Sequence, residues 1–401
     1  LALILLLIHL VMVQSHDCNP SFERIFLIYF LPKPNSIIQK YECFKYFRPV
    51  KSKKRILVAP LDWGIGHATR CIPIINALIS QNFEVVLAAD GRPLHLLSTE
   101  FPNLEMVRFS GYNIKYHTYL PMSVSMLLQI PKLLWSINKE NQTIKQIVKE
   151  YEIDGVISDN RFGLFTTKVP SVFVTHQLQI QSPYFSDEIR KLNYKYINKF
   201  DVCWIMDGEK ENLAGSLSKP KLLPNNSLYI GVQSRFKKRE EERKYDLLAL
   251  VSGPEPQRTI LEKGLIEALK SREEKSIIVL GKPELSTSEQ LGNLTIKSHL
   301  NAKDLNTTIL QSDLIICRPG YSTIMDLAKL GKKAIFIPTP GQTEQEYLVK
   351  NFMRKGICFA QNQSDFDLQT ALDKSIAFTG FTNTVNNNTT WEELFSPFSK
   401  S

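Results

Sequence analysis

Residues 312–347 carry the pattern of two strand–turn–helix units in succession, and this repeat restricts the possible folds more than any other segment. In the first unit, a short apolar run over 314–317 is broken by a Pro-Gly pair and followed by apolar residues at helical spacing over 324–330. The second unit begins with another apolar run, over 334–338. Such short runs are typical of strands buried on both faces of a parallel sheet. The segment therefore predicts an α/β fold.

The turn at Gly320 predicts a helix start that can bind phosphate. Ser322 or Thr323 can cap this helix. A helix that follows a parallel strand presents free backbone N–H groups and the positive end of its dipole to an anion. Asp326 lies six residues beyond Gly320, where a carboxylate can accept hydrogen bonds from both hydroxyls of a ribose. An ordinary capped helix with a solvated aspartate fits the same residues, so both interpretations are open at this point.

Residues 318–326 and 341–346 resemble the donor-site signature of GT-B glycosyltransferases of family 28. The bacterial N-acetylglucosaminyltransferase MurG and the monogalactosyldiacylglycerol synthases belong to that family. The resemblance covers about residues 54–375. It implies a GT-B fold, in which two Rossmann-like α/β domains with parallel sheets face each other across a cleft.

The resemblance also implies roles in the donor site. The family's Gly-x-x-Thr-x-x-acid pattern binds phosphate and ribose, and it maps to Gly320, Thr323 and Asp326. The family usually has glutamate at the last position, so the side chain of Asp326 has a shorter reach. Later residues of the segment fall where the family holds the hydroxyls of the donor sugar. The donor-site residues expected here are Arg318, Gly320, Ser322, Thr323, Asp326, Gln345 and Glu346.

A Gly-rich turn near the start of the patterned chain predicts the opening of the first Rossmann-like domain. A buried strand over 55–60 is followed by Gly64, Gly66 and His67 and then by a helix. Such a turn lies at the switch point of the sheet, where ligands bind, although the glycines alone fit any tight turn and the histidine alone fits a cap or a core residue. The family has a Gly-rich loop ending in Gly-His, which implies that His67 lines the cleft near the acceptor.

His67 is the first candidate for the general base, because a neutral imidazole can take a proton from an acceptor hydroxyl at neutral pH. A helix N-terminus lowers the pKa of a histidine and so favours that neutral form. Asp62 is the second candidate, or the group that orients the histidine. Two more strands end in polar residues that are expected to line the cleft. These cleft candidates are Asp159, Arg161, His176 and Gln177.

A second Rossmann-like domain is predicted to begin with a strand over 247–251. The turn that follows contains Ser252, Gly253 and Arg258, which are candidates for contacts with the donor phosphates. The corresponding turn of the family is richer in glycine, and prolines replace some of its positions here. Arg258 can pair with a phosphate through two hydrogen bonds or lie on the surface as an ordinary arginine.

Composition restricts the partners and the compartment. The net charge of +9 in 401 residues is mild and spread along the chain, so it fits anionic nucleotides or an anionic lipid surface and gives no argument for nucleic acid. Six cysteines without a Cys-x-x-Cys pair indicate reduced, buried thiols. The expected location is the cytoplasm, including a peripheral position at the inner face of the membrane.

The pattern along the chain predicts five segments. Residues 1–13 are nearly all apolar and resemble a signal-peptide core, yet lack a basic flank and a cleavage site. We expect 1–52 to be a leader outside the functional protein, with a membrane anchor as the alternative. The remaining segments are an acceptor domain over 53–232, a charged linker over 233–245, a donor domain over 246–376 that ends in a helix from about residue 365, and a tail over 377–401.

An apolar stretch over 120–137 is interrupted by Pro131 and contains few charges. It fits an acceptor groove or a helix that touches a membrane, and equally a core helix kinked by proline.

The resemblance implies an inverting, metal-independent glycosyltransferase that needs no cofactor. Its donor is expected to be a nucleotide sugar, UDP-linked and carrying a hexosyl or N-acetylhexosaminyl group. The acceptor is a hydroxyl compound, with a lipid or cell-envelope glycan as one class. Two alternatives share the fold: a nucleotide-sugar 2-epimerase, which needs further acid/base carboxylates, and a non-catalytic module that binds nucleotide sugars.

Overall fold

The computed structural model describes residues 53–62, 64–112, 130–179, 186–210, 212–382 and 389–399. Within these ranges the chain forms two α/β domains, each built on a seven-stranded sheet. The predicted α/β fold with two facing parallel sheets is confirmed.

The first domain holds a sheet in the order β3-β2-β1-β4-β5-β6-β7, with every neighbouring pair parallel. Its strands are β1 (Arg55–Pro60), β2 (Glu84–Ala89), β3 (Glu105–Arg108), β4 (Gly155–Asp159), β5 (Ser171–Thr175), β6 (Val202–Ile205) and β7 (Ser227–Tyr229). The described helices of this domain are α1 (Ile65–Ser80), α2 (Gly91–Glu100), α3 (Ile130–Glu150) and α4 (Ser186–Ile197).

The second domain has the order β10-β11-β9-β8-β12-β13-β14, and its pairs are parallel except for β10 with β11. Its strands are β8 (Tyr245–Leu250), β9 (Ser276–Val279), β10 (Ser288–Leu291), β11 (Leu294–Lys297), β12 (Ser312–Cys317), β13 (Lys333–Phe336) and β14 (Phe359–Ala360). Its helices are α5 (Gln257–Leu269), α6 (Ala302–Leu310), α7 (Tyr321–Leu330), α8 (Thr343–Arg354) and α9 (Leu368–Ser375).

Each sheet has one switch point, where the strand order reverses direction. In the first domain it lies between β1 and β4, and in the second between β8 and β12. The central strands are buried along nearly their whole length; all six residues of β1 are buried, for example. Helices cover both faces of such a parallel sheet. Ligands therefore bind beyond the carboxyl ends of the strands, at the switch point.

A last helix, α10 (Trp391–Ser399), returns to the first domain. Phe395 and Phe398 are buried in it, and both rings contact the ring of Trp204 in β6, with centroid separations of 6.0 and 6.4 Å. The C-terminal helix therefore ties the end of the chain to the domain where the patterned sequence starts.

Two local predictions need correction, and one pair of strands was missed. The N-cap of α7 is Gly320 and makes no side-chain capping bond, so neither Ser322 nor Thr323 caps that helix. The helix expected from about residue 365 begins at Leu368, where Asp367 caps it by accepting a hydrogen bond from the backbone of Thr370. The antiparallel pair β10 and β11 was not predicted.

Other expectations fall partly outside the described ranges. Of the apolar stretch 120–137, residues 120–129 are outside them, and α3 begins at Ile130. Among the residues that the structure describes, no helix is both long and apolar enough to cross a membrane. Four of the cysteines, Cys71, Cys203, Cys317 and Cys358, are free and buried.

Candidate active site

Two helix N-termini meet where the domains face each other. α1 starts after Gly64, whose φ of +80° suits glycine, and α7 starts after Gly320; neither N-cap supplies a side-chain capping bond. The hydroxyl of Ser322 donates to the carbonyl of Gly66 at 2.8 Å. The first N–H groups of a helix have no partner within the helix. Both helices therefore direct backbone donors and the positive ends of their dipoles toward one place, which favours an anion.

His67 lies in the first turn of α1 and contacts a buried carboxylate. Its Nδ1 is 2.9 Å from Oδ2 of Asp159, the last residue of β4. The pair spans the switch point of the first sheet, since α1 follows β1 and β4 is its neighbour. Asp159 is fully buried, whereas the side chain of His67 is 16% exposed. An Nδ1–H that donates to Asp159 leaves the lone pair on Nε2 of His67.

Arg70 balances the charge of Asp159. It lies one turn after His67 on the same helix, and its Nε is 3.0 and 2.9 Å from the two carboxylate oxygens of Asp159. The remaining guanidinium nitrogens reach two histidines: Nη2 is 2.8 Å from Nδ1 of His67, and Nη1 is 3.0 Å from Nδ1 of His176. A buried carboxylate is costly unless it is paired and hydrogen-bonded, and Arg70 meets both conditions.

The second domain joins this cluster through Glu344, in the first turn of α8. Its Oε1 is 2.9 Å from Nε2 of His176. The ring of His176 also stacks on Tyr321, with the centroids 4.1 Å apart and the planes within 6°. Both contacts reach from the second domain to a first-domain histidine that follows β5. The cluster is therefore completed only where the two domains touch.

The environment sets the charge states of these groups. Burial, and then the charge of Arg70, lower the pKa of His67 below its ordinary value, which favours the neutral imidazole. Burial acts to raise the pKa of Asp159, but Arg70 and His67 outweigh it and hold that pKa below the usual range. The pKa of Glu344 is likewise lowered, because His176 and Arg70 outweigh its burial. These shifts favour two ionised carboxylates and one guanidinium beside the neutral imidazole of His67.

Comparison with known proteins identifies the family of the second domain and the class of enzyme. The sequence model of the glycosyltransferase family 28 C-terminal domain matches residues 257–392, which include Arg318, α7 and α8. The second domain therefore belongs to glycosyltransferase family 28, and the chain is a glycosyltransferase with the GT-B fold.

Curated relatives of this glycosyltransferase are similar over most of their length. The UDP-N-acetylglucosamine--N-acetylmuramyl-(pentapeptide) pyrophosphoryl-undecaprenol N-acetylglucosamine transferase of Actinobacillus pleuropneumoniae is 24% identical over 344 residues, covering 80% of this chain and 88% of the relative. The enzyme of the same description from Haemophilus ducreyi is 28% identical over 334 residues, with the same coverage.

Solved structures with the same fold include two glycosyltransferases. The spinosyn rhamnosyltransferase SpnG has a TM-score of 0.57 at 15% identity, covering 82% of this chain and 93% of that one. The glycosyltransferase SsfS6 of Streptomyces sp. SF2575, complexed with thymidine diphosphate, has a TM-score of 0.52 at 13% identity, covering 81% and 90%. At these identities the likeness shows the GT-B fold.

In the second domain of the glycosyltransferase, Gly253 lies beside the switch point of the sheet with a φ of +114°. A Cβ there would lie 3.8 Å from Nε of Arg318 and 3.7 Å from Oγ1 of Thr339. Among the described residues, both of these buried atoms lack a hydrogen-bond partner. The neighbouring Ser252 is exposed. Two polar atoms without partners therefore converge on the turn that was expected to hold the donor phosphates.

The other two guanidinium nitrogens of Arg318 donate hydrogen bonds to separate segments of the second domain. The side chain is 1% exposed, and burial lowers the pKa of Arg318 to about 10. Its Nη1 donates to the carbonyls of Ile337 and Pro338, and its Nη2 to the carbonyl of Gln257 and the side chain of Gln363. Arg318 thus fixes the segments after β12 and β13 against the start of α5.

Asp326 lies two thirds of the way along α7 and faces the interdomain linker. It is 9% exposed, and its Oδ1 accepts a hydrogen bond from Ser234 at 2.5 Å. Burial raises the pKa of Asp326 to about 6, with Arg235 and Ser234 opposing that shift. A ribose that binds here would therefore meet a carboxyl group that titrates close to neutral pH.

Gln345 and Glu346 support the turn that precedes α8. Oε1 of Gln345 accepts from the backbone N–H of Thr339 at 2.7 Å, and Oε1 of Glu346 accepts from that of Gly341 at 3.1 Å. In each of these two contacts, one polar atom of the side chain is used.

Two predicted arginines are engaged by carboxylates of their own domains. Arg161 is fully buried and pairs with Glu140 at 2.7 Å. Arg258 pairs with Glu255 and, at 2.8 Å, with Glu262. A donor phosphate would have to displace Glu255 or Glu262 to reach Arg258.

Asp62 packs against Gly111, where a Cβ would overlap its carboxyl group. Within the described part of the chain, the carboxylate that contacts His67 is Asp159. The backbone N–H of Gln177 donates to Oγ1 of Thr175 at 3.0 Å, and the residue follows His176 at the end of β5.

Sequence reasoning missed Arg70 and Glu344. The spacing of Arg70 places it one helical turn from His67, so a signal was present. Glu344 immediately precedes Gln345, but its partner His176 is 168 residues away in the sequence. No local pattern reports a contact of that kind, since it depends on how the two domains dock.

Proposed function

We propose that this glycosyltransferase transfers a hexosyl or N-acetylhexosaminyl group from a UDP-sugar to an acceptor hydroxyl, with inversion at the anomeric carbon and without a metal ion. The observation that supports it best is the His67–Asp159 pair beside the facing N-termini of α1 and α7. In a single displacement the acceptor is deprotonated while the diphosphate leaves. The base and the anion-binding site must therefore lie close together.

In the proposed step, Nε2 of His67 takes the proton of the acceptor hydroxyl. The acceptor oxygen forms a bond to the anomeric carbon as the bond from that carbon to the diphosphate oxygen breaks. Asp159 holds the Nδ1–H tautomer and stabilises the imidazolium that forms, as carboxylates do in other histidine-dependent sites. The backbone donors of both helices stabilise the charge on the departing diphosphate.

The identity of donor and acceptor is proposed from the relatives. Their names specify UDP-N-acetylglucosamine and a pyrophosphoryl-undecaprenol acceptor. We therefore propose a UDP-linked N-acetylhexosamine as the first donor to test and a lipid-linked hydroxyl compound as the acceptor class. Such an acceptor places the enzyme in the cytoplasm, in peripheral contact with the inner face of a membrane. The roles in donor binding assigned above to Gly320, Thr323 and Asp326 belong to the same proposal.

The test is release of nucleotide from a panel of nucleotide sugars in the presence of a membrane extract, with and without EDTA. We expect UDP release that EDTA does not reduce. His67→Ala should lower kcat by at least 100-fold, because general-base catalysis contributes about 10²–10⁴. Asp159→Asn should lower it comparably by permitting the wrong tautomer.

The control is Lys350→Ala, an exposed residue of α8, which should retain the parent rate. Undiminished release by both His67→Ala and Asp159→Asn would overturn the proposed chemistry. UDP binding without turnover of any donor would identify a non-catalytic module, and UDP release with free epimerised sugar would identify an epimerase.

A further inference from the structure

A continuous chain of contacts joins the donor domain to His67. It runs from Glu344 to His176 (2.9 Å), from His176 to Arg70 (3.0 Å), and from Arg70 to His67 (2.8 Å) and Asp159. Glu344 belongs to the second domain and the other four residues to the first. His67, the proposed base, is therefore linked to the second domain through this chain of contacts.

The chemistry of Arg70 fixes the proton of His176. A guanidinium has only N–H donors, so Nδ1 of His176, which faces Nη1 of Arg70, must act as the acceptor. The ring proton then lies on Nε2, which points at the carboxylate of Glu344. Stacking on Tyr321 holds the ring in this plane. Arg70 thus selects one neutral tautomer of His176, which Glu344 stabilises by accepting its proton and Tyr321 by stacking on the ring.

His67 has two possible tautomers, because its Nδ1 has two neighbours. If Nδ1–H donates to Asp159, Nε2 carries the lone pair and the ring can act as a base. If instead Nη2 of Arg70 donates to Nδ1, the proton lies on Nε2 and the ring cannot accept one there. The two distances are nearly equal, 2.9 and 2.8 Å, so the position of Arg70 decides between them.

Glu344 influences that position through His176. When Glu344 accepts the Nε2–H, Nδ1 of His176 stays an acceptor and attracts Nη1 of Arg70 away from His67. Without Glu344, the Nε2–H of His176 loses its acceptor, and Nδ1 becomes a weaker acceptor for Nη1 of Arg70. The guanidinium is then held less firmly on the His176 side and can shift toward Nδ1 of His67. Loss of the interdomain contact therefore favours the inactive tautomer of His67.

We propose that Glu344 is a positioning residue that sets the proton-accepting tautomer of His67, through His176 and Arg70, when the two domains are closed. The inference rests on the proposed function for the role of His67. Its consequence is that deprotonation of the acceptor is linked to closure over the donor, which would limit transfer to water in the open enzyme.

The experiment is to determine the tautomer of His67 in the full chain with UDP bound. Two-bond ¹H–¹⁵N correlation spectra of protein labelled with ¹⁵N-histidine separate the two tautomers, and the His67 signals are those that disappear in His67→Gln. We expect Nδ1–H in the parent protein and a shift toward Nε2–H in Glu344→Ala. Glu344→Gln should keep the parent spectrum, because its amide oxygen accepts the same hydrogen bond.

Kinetics give the second readout. Glu344→Ala should lower kcat by about tenfold, a part of what a general base contributes, while KM for the nucleotide sugar changes by less than about twofold. A KM increase at unchanged kcat would show that Glu344 contacts the donor instead, and would overturn the inference. So would parent-like His67 signals in Glu344→Ala.

Tyr347 provides a matched control on the same helix. Its hydroxyl accepts hydrogen bonds from the backbone and side chain of Ser216 across the same domain interface, at 2.8 and 2.9 Å. Tyr347→Phe removes these contacts without touching the chain to His67, so the His67 signals should not change. If Tyr347→Phe causes the same tautomer shift, the effect comes from domain closure in general and not from Glu344 in particular. If no nucleotide sugar is turned over, the proposed function fails, whereas the spectra still test this inference.

Discussion

At the scale of residues, the charge of each buried titratable side chain in the site is set by its neighbours. Asp159 keeps its charge because Arg70 lies against both of its oxygens, and His67 stays neutral because burial and Arg70 oppose a second positive charge. At a separate buried carboxyl, Asp326, burial outweighs the charge of Arg235 and the hydrogen bond from Ser234 and raises the pKa to about 6. The pKa values of the two aspartates are therefore shifted in opposite directions because their surroundings differ.

The titration of Asp326 predicts how nucleotide binding depends on pH. The ionised carboxylate can accept two ribose hydroxyl bonds, whereas the protonated form can accept fewer. UDP should therefore bind more tightly as the pH rises through about 6. The phosphate of UDP also titrates near pH 6, so the measurement is UDP affinity by calorimetry at pH 5 and pH 7.5 for both the parent and Asp326→Asn. We expect the parent to gain about tenfold more than the variant over this range, since the pKa difference would be expressed in binding.

Equal gains for parent and variant would show that only the phosphate titrates and that Asp326 does not contact the ribose. Ser234→Ala should raise the pKa of Asp326 further by removing a donor to its charged form, which would shift the transition to higher pH.

At the scale of elements, the sequence predicted what short apolar runs determine. β1, β12 and β13 were recognisable because strands covered on both faces of a sheet are apolar nearly throughout. Helix caps were less predictable. Ser322 fits a cap by type, but its hydroxyl is used across the domain interface on the carbonyl of Gly66. The hairpin of β10 and β11 has an exposed, polar first strand, so it gave no apolar signal.

The candidate site was predictable to the same extent. His67, Asp159 and Gly320 follow strand ends, which is a local pattern. Arg70 and Glu344 matter through contacts with residues 89 and 168 positions away, and the linker contact of Asp326 depends on how the domains dock.

The close approach of α1 and α7 predicts the effect of a single methyl group. A Cβ on Gly66 would lie 3.3 Å from Oγ of Ser322, which is a tight contact that pushes the two helix N-termini apart. Gly66→Ala should therefore lower kcat about tenfold, because reaction geometry tolerates little displacement. Ser322→Ala removes the crowded oxygen, so the double variant should recover part of the lost rate. The measurement is a double-mutant cycle on UDP release, and additive losses in the double variant would show that the methyl group acts elsewhere.

At the scale of the whole molecule, the chain connects the two domains twice. It leaves the first domain after β7, builds the second, and returns through α10, whose rings pack on Trp204 and Phe83. The first domain is completed by the last residues of the chain, and buried apolar residues of both domains form one hydrophobic cluster, so the domains cannot separate freely. The two connections hold both sides of the cleft together, which suits a site assembled from both domains.

The packing of Phe398 tests this arrangement. The side chain is 1% exposed and lies directly over Gly155 in β4, where a Cβ would come within 2.4 Å of its ring. Phe398→Ala leaves a cavity above the strand that carries Asp159, so the free energy of unfolding should fall by about 3–5 kcal/mol. Phe398→Leu refills most of that volume and should cost less than half as much. Urea denaturation followed by tryptophan fluorescence measures both, because Trp204 reports the first domain. If the urea midpoint of Phe398→Ala equals that of the parent, α10 does not stabilise the first domain. The second connection between the domains would then contribute nothing to stability.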